Sequence, residues 1–255
     1  MPKNFIDVSE EAGVRYLHFS QEWIQGAMRI QRPNALELAY TREMMAGLLL
    51  RDAPWPARVL LIGLGAGSLA KFVHRHLPQA QVTVVEILPE VHAVASQFFR
   101  LPDEDERLRV VIGDGAAFVA EDETQWDLIA VDGFDSNARA GALASQAFYA
   151  ACRRRLTADG LLVVNMFGEL RGFKTQLQRL NKAFDGRVLA LPPCPSGNVV
   201  AFATTGAAVE LSLATLRERA KALKDATGLD LAPTIRRMEK SGTYWDKSAD
   251  KTVRL

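Results

Sequence analysis

The chain is poor in cysteine, with 2 in 255 residues, Cys152 and Cys194. They lie far apart and without metal-ligand spacing. A disulfide scaffold and a cysteine metal site are therefore excluded as readings, and two reduced thiols in a cytoplasmic protein are expected. An excess of one charge is also missing. Lys and Arg number 31 against 30 Asp and Glu, a net charge of +1, so no nucleic-acid partner held by bulk electrostatics is expected. No apolar run reaches the length of a membrane span. Met1-Pro2-Lys3-Asn4 lacks the charged-then-apolar pattern of a secretory leader, and no membrane partner is expected. His74 and His76 stand two apart on a predicted helix, where side chains do not face one another, so no metal is expected. Trp23, Trp55, Trp126 and Trp245 are scattered, which suits packing better than base stacking. No internal repeat or low-complexity segment is visible.

What is present is a globular composition, 48% hydrophobic and 24% charged, arranged as alternating strands and helices. Residues 14–19 and 27–31 predict two short strands joined around Gly26, and residues 35–50 a helix with a broad apolar face. Asp52-Ala-Pro-Trp-Pro56 reads as a linker. Apolar, mostly β-branched runs then predict strands at Val59–Ile62, Val82–Glu86, Leu108–Ile112, Asp127–Val131 and Leu161–Met166. Predicted helices follow at Ser68–His76, Glu90–Arg100, after Asp114, Gln146–Leu156 and Phe173–Phe184. Ser145 is a fitting cap, and Asp159-Gly160 a fitting stop, for the helix over 146–156. Strands over Arg187–Leu191 and Asn198–Thr204 are joined by Pro192-Pro-Cys-Pro-Ser-Gly197 as an antiparallel return. An amphipathic helix from Ser212 to Gly228 and a second over Ala232–Lys240 close the chain. About seven strands alternating with helices argue an α/β, doubly wound Rossmann-like sheet. The expected organisation is a small N-terminal β-hairpin plus helix over 1–50, a nucleoside-binding catalytic domain over 51–205, and a helical tail over 206–255.

Four sites fall at the carboxyl ends of successive predicted strands, where ligands of parallel sheets bind. They are Gly63-Leu64-Gly65-Ala66-Gly67, Glu86, Asp114-Gly115, and Asp132 with Asp135. Gly63, Gly65 and Gly67 permit a tight turn and close ligand approach, ahead of a helix whose first N–H groups are free. Glu86, about twenty residues on, is placed to accept from ribose hydroxyls, and Asp114 from an adenine amino group. A dinucleotide reading ranks lower, since it prefers Gly or Ala where Ser68 stands and leaves Asp114 without a role.

These residues, with Val-Asp-Gly-Phe-Asp at 131–135, Ser-Gln-Ala-Phe-Tyr at 145–149 and Pro-Ser-Gly at 195–197, make the chain resemble the spermidine synthase (polyamine aminopropyltransferase) family. The resemblance covers roughly residues 37–205. It implies the S-adenosylmethionine-dependent methyltransferase fold with an antiparallel last strand, decarboxylated S-adenosylmethionine as co-substrate, a small-molecule amine acceptor and a homodimer. It also implies that Asp132 activates the acceptor amine and Asp135 helps to hold it. A free alkyl amine is mostly protonated at neutral pH, so a nearby carboxylate suits the chemistry. The chain departs from the family at Ala66, where the family has an aspartate binding the amino end of the donor. Thr41-Arg42-Glu43 replaces Tyr-His-Glu, Asn165 a glutamine and Cys194 a tyrosine. Arg42, Asn165 and Cys194 are thus the candidate substrate-binding positions.

The expected activity is aminopropyl transfer in polyamine biosynthesis. The alternatives are an S-adenosylmethionine-dependent methyltransferase acting on a small acceptor, which Ala66 favours, and a non-enzymatic nucleoside-binding protein, which the two aspartates disfavour.

Overall fold

The computed structural model describes residues 6–19, 24–134, 139–168, 172–242 and 251–255. Its centre is a seven-stranded sheet. The strands are β4 (Arg58–Ile62), β5 (Gln81–Glu86), β6 (Leu108–Ile112), β7 (Trp126–Val131), β8 (Leu156–Phe167), β9 (Val188–Ala190) and β10 (Asn198–Thr204). Their spatial order is β6-β5-β4-β7-β8-β10-β9. β4 to β8 pair in parallel, and β10 lies antiparallel to both β8 and β9.

The central strands are mostly apolar because both faces of the sheet are covered. Val59, Leu61, Val82, Val84, Leu128, Ala130, Leu161, Val163, Val200 and Phe202 bury themselves on one face. The residues between them, including Leu60, Ile62, Val85, Ile129, Val131, Leu162 and Val164, do so on the other. The covering helices are α2 (Ser68–His76), α3 (Pro89–Phe98), α4 (Gly115–Glu121), α5 (Gln146–Arg155) and α6 (Phe173–Ala183), with α1 (Ala39–Met44) before β4. The expected Ser145 cap is present, its Oγ accepting from Phe148 N–H at 3.1 Å.

Three expectations need correction. The N-terminal element is a three-stranded antiparallel meander, β1 (Asp7–Glu11), β2 (Val14–His18) and β3 (Ile24–Arg29), rather than a hairpin around Gly26. β1 is almost wholly exposed, so it carries no apolar alternation to read. Its turn, Ala12-Gly13, has positive φ at both residues, 50° and 76°, as a two-residue hairpin turn of type I′ requires. The helix expected over 35–50 is α-helical only at Ala39–Met44 and tightens into a 3-10 turn over Met45–Leu49. Most of that run is buried, so packing rather than helical period sets its path. Asp159-Gly160 does not stop α5, which ends at Arg155. The turn residues lie instead in a bulge, where pairing of β8 with β7 jumps from Trp126↔Leu156 to Leu128↔Leu161.

The tail forms α7 (Leu213–Thr227) and α8 (Ala232–Ser241). α7 ends at Gly228 with φ 77°. A short ladder, β11 (Glu210–Ser212) with β12 (Thr252–Arg254), ties the last residues back. No helix among the described residues is long and apolar enough to cross a membrane.

Candidate active site

At the carboxyl ends of β4, β5, β6 and β7 lies a cavity of about 400 Å³. The glycine loop forms its floor. Gly63 donates to Val85 O at 2.9 Å and takes φ +93°, and a Cβ there would stand 2.2 Å from the Asp132 carbonyl oxygen. Only glycine lets the ends of β4, β5 and β7 close together at this point. β3 roofs the loop. A Cβ on Gly26 would stand 2.6 Å from the Ala66 Cβ, and Ser68 Oγ donates to Ala27 O at 3.3 Å.

Glu86 is buried at the end of β5. Its Oε2 accepts from Leu64 N–H and its Oε1 from Leu88 N–H, both at 2.9 Å. Burial raises its pKa, and these backbone donors oppose the rise. Asp114 caps α4, its Oδ1 accepting from Ala116 and Ala117 N–H at 2.8 and 2.9 Å.

Asp132 sits at the end of β7 in the cavity wall. Asn165 Nδ2 donates to its Oδ1 at 2.8 Å, and the Tyr40 hydroxyl also hydrogen-bonds its carboxylate. Burial pushes its pKa up to about 6, while the two donors hold it lower than burial alone would. The Tyr40 hydroxyl is driven well above its ordinary pKa by burial first and by the Asp132 charge second, and so stays a donor. Behind Asp132 the polar chain continues. Asn198 Nδ2 donates to Asn165 Oδ1 at 3.0 Å, Ser196 Oγ donates to Asn198 Oδ1 at 2.7 Å, and Cys194 Sγ lies 3.0 Å from Ser196 Oγ.

The structure brings Gly63, Gly65, Glu86, Asp114, Gly115 and Asp132 to one cavity, together with Tyr40, Thr41, Gln25, Phe134 and Arg139. Gly67 does not line it; it is the N-cap residue of α2, with φ +67°. Asp135 lies outside the described residues. The three acceptor candidates, Arg42, Asn165 and Cys194, do not line this cavity. Arg42 turns away, its Nη1 donating to the carbonyls of Leu36 at 3.0 Å and Glu37 at 2.6 Å. Asn165 and Cys194 are buried and line no part of the cavity; Asn165 reaches it only through Asp132.

Tyr40 is the residue that sequence reasoning missed. Successive helical residues rotate by about 100°, so a helix that presents Tyr40 and Thr41 to the cavity carries Arg42 out of it. A tyrosine directly preceding the 41–43 motif was the available signal. Among the described residues, no group of three or more His, Cys, Asp or Glu side chains is arranged to hold a metal ion.

Residues 37–205 match the spermine/spermidine synthase domain. The polyamine aminopropyltransferase of Neisseria meningitidis serogroup A (strain Z2491) is 37% identical over 225 residues, covering 88% of this chain and 85% of that one. A crystal structure of a probable spermidine synthase from Corynebacterium glutamicum shares the fold, with TM-score 0.70 at 21% identity over 88% of this chain and 91% of that one. The crystal structure of human methyltransferase-like protein 13 in complex with SAH is similar at TM-score 0.66 and 27% identity, over 83% of this chain and 97% of that one. From its sheet order, its strand-end carboxylates and these similarities, the chain belongs to the spermine/spermidine synthase family.

Proposed function

We propose that the protein is an aminopropyltransferase that moves the aminopropyl group of decarboxylated S-adenosylmethionine to a small amine. The observation that carries the reading is Asp132, a shielded carboxylate held by Tyr40 and Asn165 in the same cavity as the glycine loop. In this reading Glu86 accepts from the ribose hydroxyls and Asp114 from the adenine amino group. The acceptor nitrogen loses a proton to Asp132, and its lone pair attacks the methylene carbon bonded to sulfur. A C–N bond forms, the C–S bond breaks, and the electron pair passes to sulfur, leaving a neutral thioether nucleoside. Asp132 is poised for this step because its pKa, raised to about 6, lies near neutral pH yet leaves it ionised there. Asp135 serves as the anchor for the cationic remainder of the acceptor. Asn165 acts on Asp132 and not on the acceptor. Asp132→Asn tests the assignment. Turnover should fall by roughly 10²–10⁴-fold with donor affinity nearly unchanged. A large loss of donor affinity would sink it.

A second reading, methyl transfer from intact S-adenosylmethionine, is favoured by Ala66. It lines the cavity where the resemblance leads one to expect a carboxylate. The similarity to the SAH-bound methyltransferase-like protein 13 supports it too. Donor affinities measured side by side separate the two.

A further inference from the structure

The tail beyond residue 205 lies outside the matched family domain, yet it reaches the helix that carries Tyr40. α1 is only six residues long, and no side chain caps its N-terminus. A helix of that length does not hold itself in place; the buried Thr41 and Met44 pack it into the core, and hydrogen bonds at its two ends orient it. At one end the Tyr40 hydroxyl bonds Asp132. At the other, Glu43 is 1% exposed, and its Oε1 accepts from Arg237 Nη2 and from Thr234 Oγ1, both on α8. Among the described residues, Glu43 Oε2 and Arg237 Nε are buried without a hydrogen-bond partner. The Arg237 bond and the Thr234 hydroxyl are therefore what compensate this carboxylate, and removing one partner of such a pair is costly.

We propose that Arg237, assisted by Thr234, is a positioning residue for Asp132: it holds Glu43, Glu43 holds α1, and α1 keeps the Tyr40 hydroxyl on the Asp132 carboxylate. The link is geometric, running from α8 through one turn of helix to the end of β7. Its catalytic consequence rests on the reading of Asp132 as the base, but its physical content does not. The hydrogen bond from Tyr40 stabilises the ionised carboxylate, so loosening α1 makes Asp132 a weaker acid.

The test is a titration of the full chain, free of substrate, by NMR of carboxyl carbons in protein labelled with ¹³C at aspartate. The Asp132 signal is assigned by its loss in Asp132→Asn. Tyr40→Phe should raise the Asp132 midpoint by about one pH unit or more. Arg237→Met should move it in the same direction, and Arg236→Met, an exposed neighbour on α8, should not. If Arg237→Met fails to fold, the double variant Glu43→Gln/Arg237→Met, which strands no charge, takes its place. An unchanged Asp132 midpoint in the folded Arg237 variant, with Tyr40→Phe shifted, overturns the proposal. So does an unchanged midpoint in Tyr40→Phe. Because the readout needs no turnover, a protein that transfers nothing to any amine would sink the functional reading and leave this result standing.

Discussion

Replacing Asp132 by asparagine should make the protein more stable while it removes turnover, and the gain should depend on pH. Burial raises the Asp132 pKa from an ordinary 3.8 to about 6. Between those values the folded state binds more protons than the unfolded state, so stability falls as pH rises through the window and the cost is complete above it. A shift of about two units corresponds to roughly 3 kcal/mol at full value. The carboxylate faces an open cavity, which screens it, so a cost of about 1–2 kcal/mol is expected. The amide in the Asp132→Asn variant would keep an oxygen to accept from Asn165 and carry no charge. Urea unfolding at about pH 8 should therefore show the variant more stable by about 1–2 kcal/mol, and at about pH 4 the difference should vanish. Equal stability at both pH values, or a destabilised variant at the higher one, would refute the assignment of a raised pKa to this group.

Asn165→Leu removes one donor from the Asp132 carboxylate, a bond worth about 1.5–3 kcal/mol. The acid limb of the kcat/KM profile should move up from about 6 by roughly one to two units. An unmoved limb would mean that another group titrates. Ala66→Asp places a carboxylate under β3, where Gly26 leaves no room. It should weaken binding of intact S-adenosylmethionine and lower Tm, and an unchanged affinity would place the donor tail elsewhere. Lys71 donates to Phe99 O at 2.6 Å, and burial first, then Arg100, lowers its pKa to about 7. The unfolded state then holds more protons from about pH 7 to the ordinary 10.5, so stability should rise across that window. Lys71→Met should flatten the rise in urea unfolding. Gly63→Ala forces a Cβ against the Asp132 carbonyl, and loss of both stability and donor binding is expected in thermal and calorimetric assays.

The sheet was legible because its strands are apolar, mostly β-branched runs followed by Gly, Glu or Asp. The predicted bounds of α2, β6 and β10 coincide with those observed. β1 was not legible, since Asp7–Glu11 is exposed and lacks an apolar period. Nor was the bulge before Leu161, where Asp159-Gly160 has the chemistry of a helix stop but follows a helix already ended. That Gly63, Gly65, Glu86, Asp114, Gly115 and Asp132 share one cavity could be read because each follows the end of a strand. Which of residues 40–43 meets the cavity could not, because the rotation of the short helix α1 decides it. The pairing of Glu43 with Arg237 spans 194 positions and leaves no local trace.

The most direct test of the account is to incubate the purified protein with decarboxylated S-adenosylmethionine and a panel of diamines, and to identify both products by mass. Aminopropyl transfer by Asp132 predicts 5′-methylthioadenosine together with an amine that has gained one aminopropyl group, and neither with Asp132→Asn. Wild-type protein that releases no thioether nucleoside from this donor, but methylates an amine from intact S-adenosylmethionine, would contradict it.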